Sequence, residues 1–254
     1  MSKRLLELFL ILCLLTPVAR AGGAVVCARG GTSSGGGGGT GGDILHETFD
    51  PTGFSASGWT NLGVADPDST VAPPTGSVTG FTTQICRENV PSSGRADIRW
   101  DAASPFSTSY LSFYFYLSSD SVANSNLFPL VTLTSSTGST GDNTWYRVMF
   151  LKNAAATRSL RIDWGQGFGA CTVGTGTTNI TTGTGYLIEL LAIDNGSSDT
   201  IEFKVNGTTV CQRTGGNFWS AAPQRLYLGP NSDLTWQWDA SIDTVDISST
   251  GYVN

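Results

Sequence analysis

The segment over residues 185–211 constrains the fold most, because side-chain character alternates with a period of two through both of its halves. The halves are separated by residues 195–198 (NGSS), which are residue types that favour turns. Folding the chain about this turn sets Ile193 opposite Thr200, so that Glu189 falls opposite Lys204. A second turn signal at residues 206–207 (NG) reverses the chain again. The pattern therefore predicts an antiparallel, all-β architecture.

Other segments with strand character recur along the chain at turn-rich spacing. We expect strands over residues 44–50, 95–100, 110–117, 127–134, 145–152, 160–164, 225–228, 234–238 and 242–248. Many short strands separated by turns are typical of a sandwich or a barrel. Two packed antiparallel sheets would bury the aliphatic faces of these strands between them.

Residues 110–117 (YLSFYFYL) show most clearly which side of a strand faces the core. The side chains expected to face inward are Leu111, Phe113, Phe115 and Leu117. The opposite side carries Tyr110, Ser112, Tyr114 and Tyr116. This row of phenols needs water, a partner or a second layer of protein to cover it.

Composition restricts the class of protein. A chain of 254 residues with 39% hydrophobic content is long enough for one sizeable core, and we expect a single folded domain. The formal net charge of −6, with no basic run after Arg4, argues against a nucleic-acid partner.

The N-terminus has the features of a secretory signal peptide over residues 1–21. Lys3 and Arg4 give it a positive start, residues 5–15 are apolar, and residues 19–21 (ARA) match a small-x-small cleavage site. The apolar run is too short to span a bilayer, so a membrane helix is the weaker alternative. We expect a secreted, periplasmic or cell-surface protein, with no membrane insertion after cleavage.

The next segment, residues 22–42, is rich in glycine and has too little apolar area to build a core. This composition predicts a flexible linker. The folded domain is then expected over residues 43–254.

Cleavage of the signal peptide would leave Cys27, Cys86, Cys171 and Cys211. Cysteines in an exported chain suggest disulfides, and two disulfides could form here in three pairings. We favour Cys171 with Cys211, because each lies just outside a strand near the central hairpin. Closing that loop stabilises by roughly 4 kcal/mol in the chain-entropy account. Cys27 and Cys86 would then pair and tether the linker to the domain.

The ordered pattern of strands is similar to a known superfamily. The segments that carry the resemblance are ETFD at 47–50, YLSFYFYL at 110–117, WYRV at 145–148, YLIEL at 186–190, IEFKVNGTTV at 201–210 and IDTVDISSTG at 242–251. Over residues 44–250 they resemble the concanavalin A-like lectin/glucanase superfamily, and within it the laminin-G-like jelly rolls of exported bacterial proteins. The resemblance implies a two-sheet jelly-roll sandwich whose first and last strands are neighbours, with Phe49 near Val245 and Ile247.

This superfamily contains carbohydrate-binding modules, adhesion domains and polysaccharide-cleaving enzymes, so the fold alone does not select a function. Its retaining glycosidases carry an ExDxE or ExDxxE pattern on one strand, because a nucleophile and an acid/base must stand about 5.5 Å apart. The glutamates after the signal peptide are Glu47, Glu88, Glu189 and Glu202, and none has that spacing. Glu189 is expected instead to form a surface ion pair with Lys204.

The jelly-roll alginate lyases of the superfamily use a histidine and a tyrosine, with arginine and glutamine, on one sheet. Residues 84–86 (QIC) have Cys86 where that resemblance requires a histidine. The single histidine, His46, falls on an expected edge strand, where a structural role is expected. Catalysis is therefore disfavoured, and a divergent polysaccharide lyase or glycoside hydrolase is kept as the alternative.

Aromatic and polar side chains favour carbohydrate binding, because sugar rings stack on aromatic faces while neighbouring polar groups bind their hydroxyls. The candidate ligand-binding residues are Tyr114, Tyr116, Trp145, Arg147, Tyr227, Trp236 and Trp238. For any single tryptophan, packing inside the sandwich is the alternative. The expected partner is a polysaccharide or a cell-surface glycan, and a structural adhesion or envelope module is a further alternative.

Acidic residues near the two ends of the domain suggest a structural Ca²⁺ site, since calcium prefers carboxylate and carbonyl oxygens. Asp239, Asp243 and Asp246 fall in one late segment, where Glu47 and Asp50 of the first strand could join them. The predicted calcium ligands are Glu47, Asp50 and Asp243. Aspartate is also common in turns for backbone reasons alone.

Overall fold

The computed structural model describes residues 24–27, 43–47, 49, 59–62, 64–65, 86–90, 93–135, 144–165, 169–230 and 233–252, with only the backbone described at 24–27, 43, 61 and 64–65. The predicted signal peptide and Asp50 lie outside these residues. None of the described residues forms a helix with the length and apolar character needed to cross a bilayer.

The described chain folds into strands joined by turns and loops. In chain order these are β1 (Ala24–Cys27), β2 (Asp43–Glu47), β3 (Trp59–Asn61), β4 (Val64–Ala65), β5 (Cys86–Val90), β6 (Ile98–Asp101), β7 (Thr108–Asp120), β8 (Asn126–Thr134), β9 (Thr144–Lys152), β10 (Arg158–Trp164), β11 (Val173–Gly174), β12 (Thr177–Ile180), β13 (Gly185–Ile193), β14 (Thr200–Val205), β15 (Thr208–Thr214), β16 (Arg225–Leu228) and β17 (Trp238–Ser248). Every pairing between these strands is antiparallel except that of β1 with β4.

The strands form two sheets. The ten-stranded sheet has the order β11-β15-β14-β13-β7-β17-β5-β1-β4, and β2 also pairs with β17. The seven-stranded sheet has the order β12-β10-β9-β8-β16-β6-β3. These two layers confirm the predicted all-β, two-sheet antiparallel sandwich.

The long last strand, β17, ties the two ends of the domain together. One edge of β17 pairs with β7, and the other edge is shared between β5 at Trp238–Ile242 and β2 at Val245–Ser248. The first strand of the predicted domain is therefore a neighbour of the last strand, as the resemblance implied. Phe49, just beyond β2, is buried against Trp59.

The core lies between the two sheets and is built from the predicted inward side chains. The four predicted inward residues of β7 are fully buried, whereas the three tyrosines on its other side are only half-buried. Strands β9 and β10 contribute inward residues from the opposite layer, among them Tyr146, Val148, Phe150, Leu160 and Ile162. Alternation along each strand thus decides which side chains are removed from water.

The central hairpin has the predicted register, with Ile193 paired with Thr200 and Glu189 with Lys204. The predicted surface ion pair between Glu189 and Lys204 is wrong, however. Glu189 is buried, and Lys204 Nζ instead lies 3.0 Å from Oε2 of Glu202, two residues away on its own strand. Cross-strand register places two residues side by side, but the long lysine side chain can reach either neighbour.

Two predicted boundaries differ from the structure. Residues 234–238 do not form a separate strand: Leu234 makes one isolated bridge to Gly94, and β17 begins at Trp238. The predicted linker contains β1, whose four residues pair with β5 in the ten-stranded sheet. Part of the segment that was predicted to be a linker from its glycine content therefore belongs to the ten-stranded sheet.

Candidate functional site

The predicted ligand-binding residues do not lie on one surface. Tyr114 and Tyr116 lie on the outer face of the ten-stranded sheet, whereas Arg147 and Tyr227 lie on the outer face of the seven-stranded sheet. Trp236 precedes β17 and is partly buried against the hydrophobic core. The candidate residues on the surface therefore lie on two different outer faces, one on each sheet.

Trp238, a predicted ligand-binding residue, is instead a core residue, which is the alternative of packing inside the sandwich. It is 0% exposed and packs against Phe115, Phe128 and Phe150, with ring centroids 5.0 to 6.4 Å apart. Its indole Nε1 donates a hydrogen bond of 3.2 Å to Oε2 of Glu88. A core aromatic ring with a satisfied N–H has no surface left for a sugar.

Trp145 does point away from the core of the sandwich, but its predicted exposure is wrong. It is 1% exposed because Trp219 stacks on it at 4.6 Å between ring centroids. Trp145 Nε1 donates to the carbonyl of Ala221 at 2.6 Å, and Trp219 Nε1 donates to the carbonyl of Trp145 at 2.6 Å. The segment after β15 therefore covers this ring.

The outer face of the seven-stranded sheet carries a row of polar side chains in continuous register. Arg99 on β6 pairs with Tyr227 on β16, Tyr227 pairs with Thr132 on β8, and Thr132 pairs with Arg147 on β9. Asp163 on β10 extends the row beyond Arg147. We call this surface the arginine face, formed by Arg99, Asp101, Thr132, Arg147, Arg161, Asp163, Arg225 and Tyr227.

On one flank of the arginine face, Asp163 is shared by two arginines. Arg161 binds it with both ends of the guanidinium, through Nε to Oδ1 at 2.9 Å and Nη2 to Oδ2 at 3.0 Å. Arg147 approaches the same carboxylate only to 3.8 Å, between Nη2 and Oδ2. Arg161 is therefore the closer partner of Asp163, and the charge of Arg147 is only partly balanced by this carboxylate.

On the other flank, Asp101 is shared by Arg225 and Arg99. Arg225 Nε donates to Oδ1 of Asp101 at 2.5 Å, and this hydrogen bond raises the pKa of Arg225. Arg99 Nε lies 3.1 Å from Oδ2 of Asp101, but its N–H does not point at that oxygen and makes no hydrogen bond within the described part of the chain. The two flanks thus have the same composition, two arginines around one aspartate.

Three groups near the centre of the arginine face lack partners. Nε of Arg99, Nε of Arg147 and the hydroxyl of Thr132 are each buried, and each has no hydrogen-bond partner among the side chains and backbone groups that the structure describes. Thr132 is only 1% exposed. Buried polar groups in folded proteins are nearly always paired, so three unpaired groups in one row distinguish this part of the sheet and make it the candidate site.

The outer face of the ten-stranded sheet is partly covered by the C-terminal segment of the chain. The ring of Tyr252 packs edge-on against Tyr110, with centroids 5.3 Å apart, and Lys204 Nζ lies 5.2 Å from the Tyr252 ring. Burial, together with nearby Glu202 and Glu189, raises the pKa of Tyr252. The tyrosine row of β7 is therefore not an open platform along its whole length.

Of the three predicted calcium ligands, the structure describes two, Glu47 and Asp243, and Asp50 lies outside the described residues. The carboxylate of Glu47 accepts hydrogen bonds from the backbone N–H of Phe49 at 2.7 Å and from Trp59 Nε1 at 3.1 Å. Asp243 accepts one from the N–H of Thr244 at 2.7 Å. Within the described ranges, no group of three His, Cys, Asp or Glu side chains is arranged to hold a metal ion. The calcium site stays a prediction.

The single histidine lies on the opposite layer from the arginine face. His46 belongs to β2 of the ten-stranded sheet, its side chain is largely exposed, and its Nδ1 is hydrogen-bonded to Oδ1 of Asp246. No imidazole can therefore serve as a base among the arginines, since the sequence contains no other histidine.

The predicted disulfide between Cys171 and Cys211 is present, with Sγ atoms 2.02 Å apart. Cys86 is also disulfide-bonded, and Cys27 lies opposite it in the register of β1 and β5. The side chain of Cys27 lies outside the described residues, so the second predicted pairing stays a prediction.

Most residues of the arginine face were not predicted from the sequence, although the sequence contains a repeated spacing that indicates them. Arg99 and Asp101 are two residues apart on one strand, and so are Arg161 and Asp163. Residues two apart share a face of a strand, so the repeated Arg-x-Asp spacing places a positive and a negative group on the same side. What the spacing does not show is that β16 and β8 bring these two strands into one row.

The comparison with known proteins supports the fold. No protein-family model matches this sequence, and no curated protein matches it. The binding domain of botulinum neurotoxin DC in complex with rat synaptotagmin II is similar in structure, with a TM-score of 0.52 at 9% identity over 84% of this chain and 49% of that chain. The same binding domain in complex with SialylT gives a TM-score of 0.50 at 10% identity over 84% of this chain and 48% of that chain.

An alginate lyase from Pseudomonas aeruginosa gives a TM-score of 0.46 at 11% identity, over 65% of this chain and 83% of that chain. The chain spans about half the length of the two toxin binding domains. Membership of the concanavalin A-like superfamily stays a prediction. At these identities, the likeness to the toxin binding domains shows one thing, a shared all-β sandwich fold.

Proposed function

We propose that this protein is an exported, non-catalytic carbohydrate-binding domain and that its saccharide lies across the arginine face. The observation that carries the proposal is the row Arg99, Tyr227, Thr132 and Arg147, which combines a half-buried phenol ring with unpaired hydrogen-bond donors. A ring that stacks on a sugar, beside donors for its oxygens, is the usual composition of a saccharide site. One fold hosts many functions, so these side chains carry the proposal rather than the structural neighbours.

The arginine face is preferred to the tyrosine row of β7 for two reasons. Its donors are unpaired, whereas Tyr114 and Tyr116 make contacts within the protein. Trp219 covers Trp145 elsewhere on the same side of the sheet, but no ring of the described residues packs on Tyr227 in the way that Tyr252 packs on Tyr110. The place of His46 on the opposite layer disfavours the lyase alternative, because the lyases of that superfamily use a histidine as well as a tyrosine beside the bound sugar.

The test is retention on immobilised polysaccharides, with neutral and acidic polymers in one panel. Tyr227→Ala should weaken binding about tenfold, equivalent to roughly 1.4 kcal/mol, because it removes the stacking ring without touching the core. The double variant Tyr114→Ala plus Tyr116→Ala is the matched control on the other outer face and should bind like the unmodified protein.

Each other outcome identifies an alternative. Loss of binding only in the double variant would move the site to the tyrosine row. Release of reducing ends or unsaturated products would support a hydrolase or lyase. No retention on any polysaccharide would reject carbohydrate binding and leave an adhesion or envelope module as the better account.

A further inference from the structure

We infer that the saccharide is acidic and that two of its anionic groups bind at Arg99 and Arg147, one on each side of Tyr227 and Thr132. This inference rests on the proposed function and specifies its ligand. It follows from the charge of the arginine face, from its unpaired donors and from the spacing of its two flanks.

The arginine face is positive on a chain that is negative as a whole. The formal net charge of the protein is −6. The two flanks hold four arginines, Arg99, Arg147, Arg161 and Arg225, against two aspartates, which leaves an excess of two positive charges on this face. A local positive surface attracts an anion, whereas the rest of an acidic protein repels it, so the anion is directed to the positive surface.

The unpaired donors belong to the two arginines that the aspartates neutralise least. Asp163 is held by Arg161 through two hydrogen bonds, so Arg147 at 3.8 Å is left with an unpaired Nε. Asp101 is held by Arg225, and Arg99 makes no aligned hydrogen bond through its Nε. The side chains of Arg99 and Arg147 are still 27% and 22% exposed, and a guanidinium that reaches the surface is well suited to bind a carboxylate or a sulfate.

The spacing of the two arginines requires more than one anionic group. Arg99 and Arg147 lie on strands separated by β16 and β8, and neighbouring strands are about 4.8 Å apart, so the two positions are about 14 Å apart. The two guanidinium groups lie toward opposite ends of the row, Arg99 beside Asp101 on β6 and Arg147 beside Asp163 on β10, so one carboxylate does not meet both. Between the two arginines the face offers the half-buried phenol ring of Tyr227, which suits an uncharged part of a sugar chain. A polymer with repeated anionic groups meets both requirements.

The test compares polymers that share a backbone and differ in charge. Polygalacturonate is set against its methyl ester, and dextran sulfate against dextran, so that the two arms separate carboxylate from sulfate recognition. We expect the protein to bind an acidic polymer of at least one pair, with an affinity that falls as NaCl is raised. We expect weaker binding to the neutral polymer of that pair.

Two sets of variants assign that binding to the arginine face. The double variant Arg99→Gln plus Arg147→Gln should lose about tenfold or more in affinity for the acidic polymer, and its melting temperature verifies that it folds. Arg87→Gln is the matched control, because Arg87 forms a bidentate pair with Asp239 on the ten-stranded sheet, at 2.7 Å for both bonds. This control should bind like the unmodified protein.

A gain of affinity provides a readout that loss of folding cannot imitate. Asp101→Asn removes a negative charge from the arginine face at an exposed position and should strengthen binding to the acidic polymer. Asp239→Asn makes the same change in net charge on the other sheet and should leave binding unchanged.

Equal binding of acidic and neutral polymers, unaffected by the arginine variants, would overturn the inference while leaving the proposed function standing. An equal effect of Arg87→Gln would also overturn it, since binding would then follow net charge alone. Failure to bind any polymer would reject the proposed function itself.

Discussion

Glu88 places a carboxyl group inside the hydrophobic core. Its side chain is 0% exposed, Oε2 accepts the hydrogen bond from Trp238, and Oε1 has no partner among the residues that the structure describes. Burial raises the pKa of Glu88 well above its usual range; the Trp238 hydrogen bond opposes this rise, and the charge of Asp97 adds to it. Such surroundings favour the neutral form of a carboxyl group over its ionised form.

The first prediction concerns the pH dependence of stability. Because the pKa of Glu88 is higher in the folded than in the unfolded chain, the free energy of unfolding falls as pH rises above the unfolded value of about 4.3. Glu88→Gln removes this titration and keeps an oxygen for Trp238. The variant should therefore melt several degrees higher than the unmodified protein at pH 7 to 8, and the difference should shrink toward pH 4.

Melting curves followed by circular dichroism between pH 4 and pH 8 measure this effect. Glu202→Gln is the control, since Glu202 is paired with Lys204 at the sheet surface and should gain nothing at neutral pH. A Glu88→Gln protein less stable than the unmodified protein at pH 8 would mean that Glu88 is ionised and usefully paired.

Alternation along the chain predicted the side of the strand for most residues, but not whether the outer side is exposed. It identified the inward residues of β7 correctly. It also placed Trp145 on the outer side, where a segment more than seventy positions later in the chain covers it. Trp238 differs for another reason. Residues 234–238 do not form a separate strand, and Trp238 is the first residue of β17, where its side chain faces the core. Periodicity depends on neighbouring residues, whereas an outward side chain can be covered by residues that are distant in sequence.

For individual strands, local sequence patterns predicted the pairing correctly where the partner strand is adjacent in sequence. The hairpin of β13 and β14 has the register that its turn predicts. The arginine face could not be obtained in this way, because β16 pairs with β8 and with β6 across 91 to 130 sequence positions. Only the Arg-x-Asp spacing within β10 and β6 is visible in the sequence itself.

The second prediction uses two glycines with nearly the same backbone conformation. Gly174 on β11 has φ +80°, and a Cβ there would lie 2.0 Å from the carbonyl oxygen of Val210. Gly183 has φ +76°, and a Cβ there would meet nothing within 4 Å. Gly183→Ala should cost about 1 kcal/mol for the left-handed conformation alone, and Gly174→Ala should cost clearly more because backbone must move.

Chemical denaturation of the two alanine variants gives both costs directly. Their difference reports how firmly β11 is held against β15, next to the disulfide of Cys211. Equal costs for the two variants would show that β11 can leave the edge of the sheet without loss of stability.

At the scale of the whole molecule, the two layers could be predicted and the strand order could not. Aliphatic faces on many short strands require two packed sheets, whatever their order. The division of one edge of β17 between β5 and β2 depends on pairings between the start and the end of the chain, which no local pattern encodes. Strand β1 was not predicted for a related reason. The glycines that suggested a linker flank Ala24–Cys27, whereas the segment itself contains none.

The third prediction tests where the folded domain begins. A chain that starts at residue 43 lacks β1, which pairs with β5 through four residues and otherwise shields that edge of the ten-stranded sheet. It also lacks both cysteines that could bond to Cys86, so Cys86 must become a free thiol while Cys171 and Cys211 stay bonded. This chain should melt at a lower temperature than one that starts at residue 22, and it should titrate one thiol.

A third chain, starting at residue 22 with Cys27→Ser, separates the two contributions, because it keeps the strand and loses the cysteine. Its melting temperature should lie between those of the other two chains, and it should release the thiol of Cys86 if Cys27 is the partner. Identical melting temperatures for all three would show that β1 contributes nothing to the sheet and that the domain begins at residue 43. A Cys27→Ser chain with no free thiol would show that Cys86 is bonded to a different cysteine.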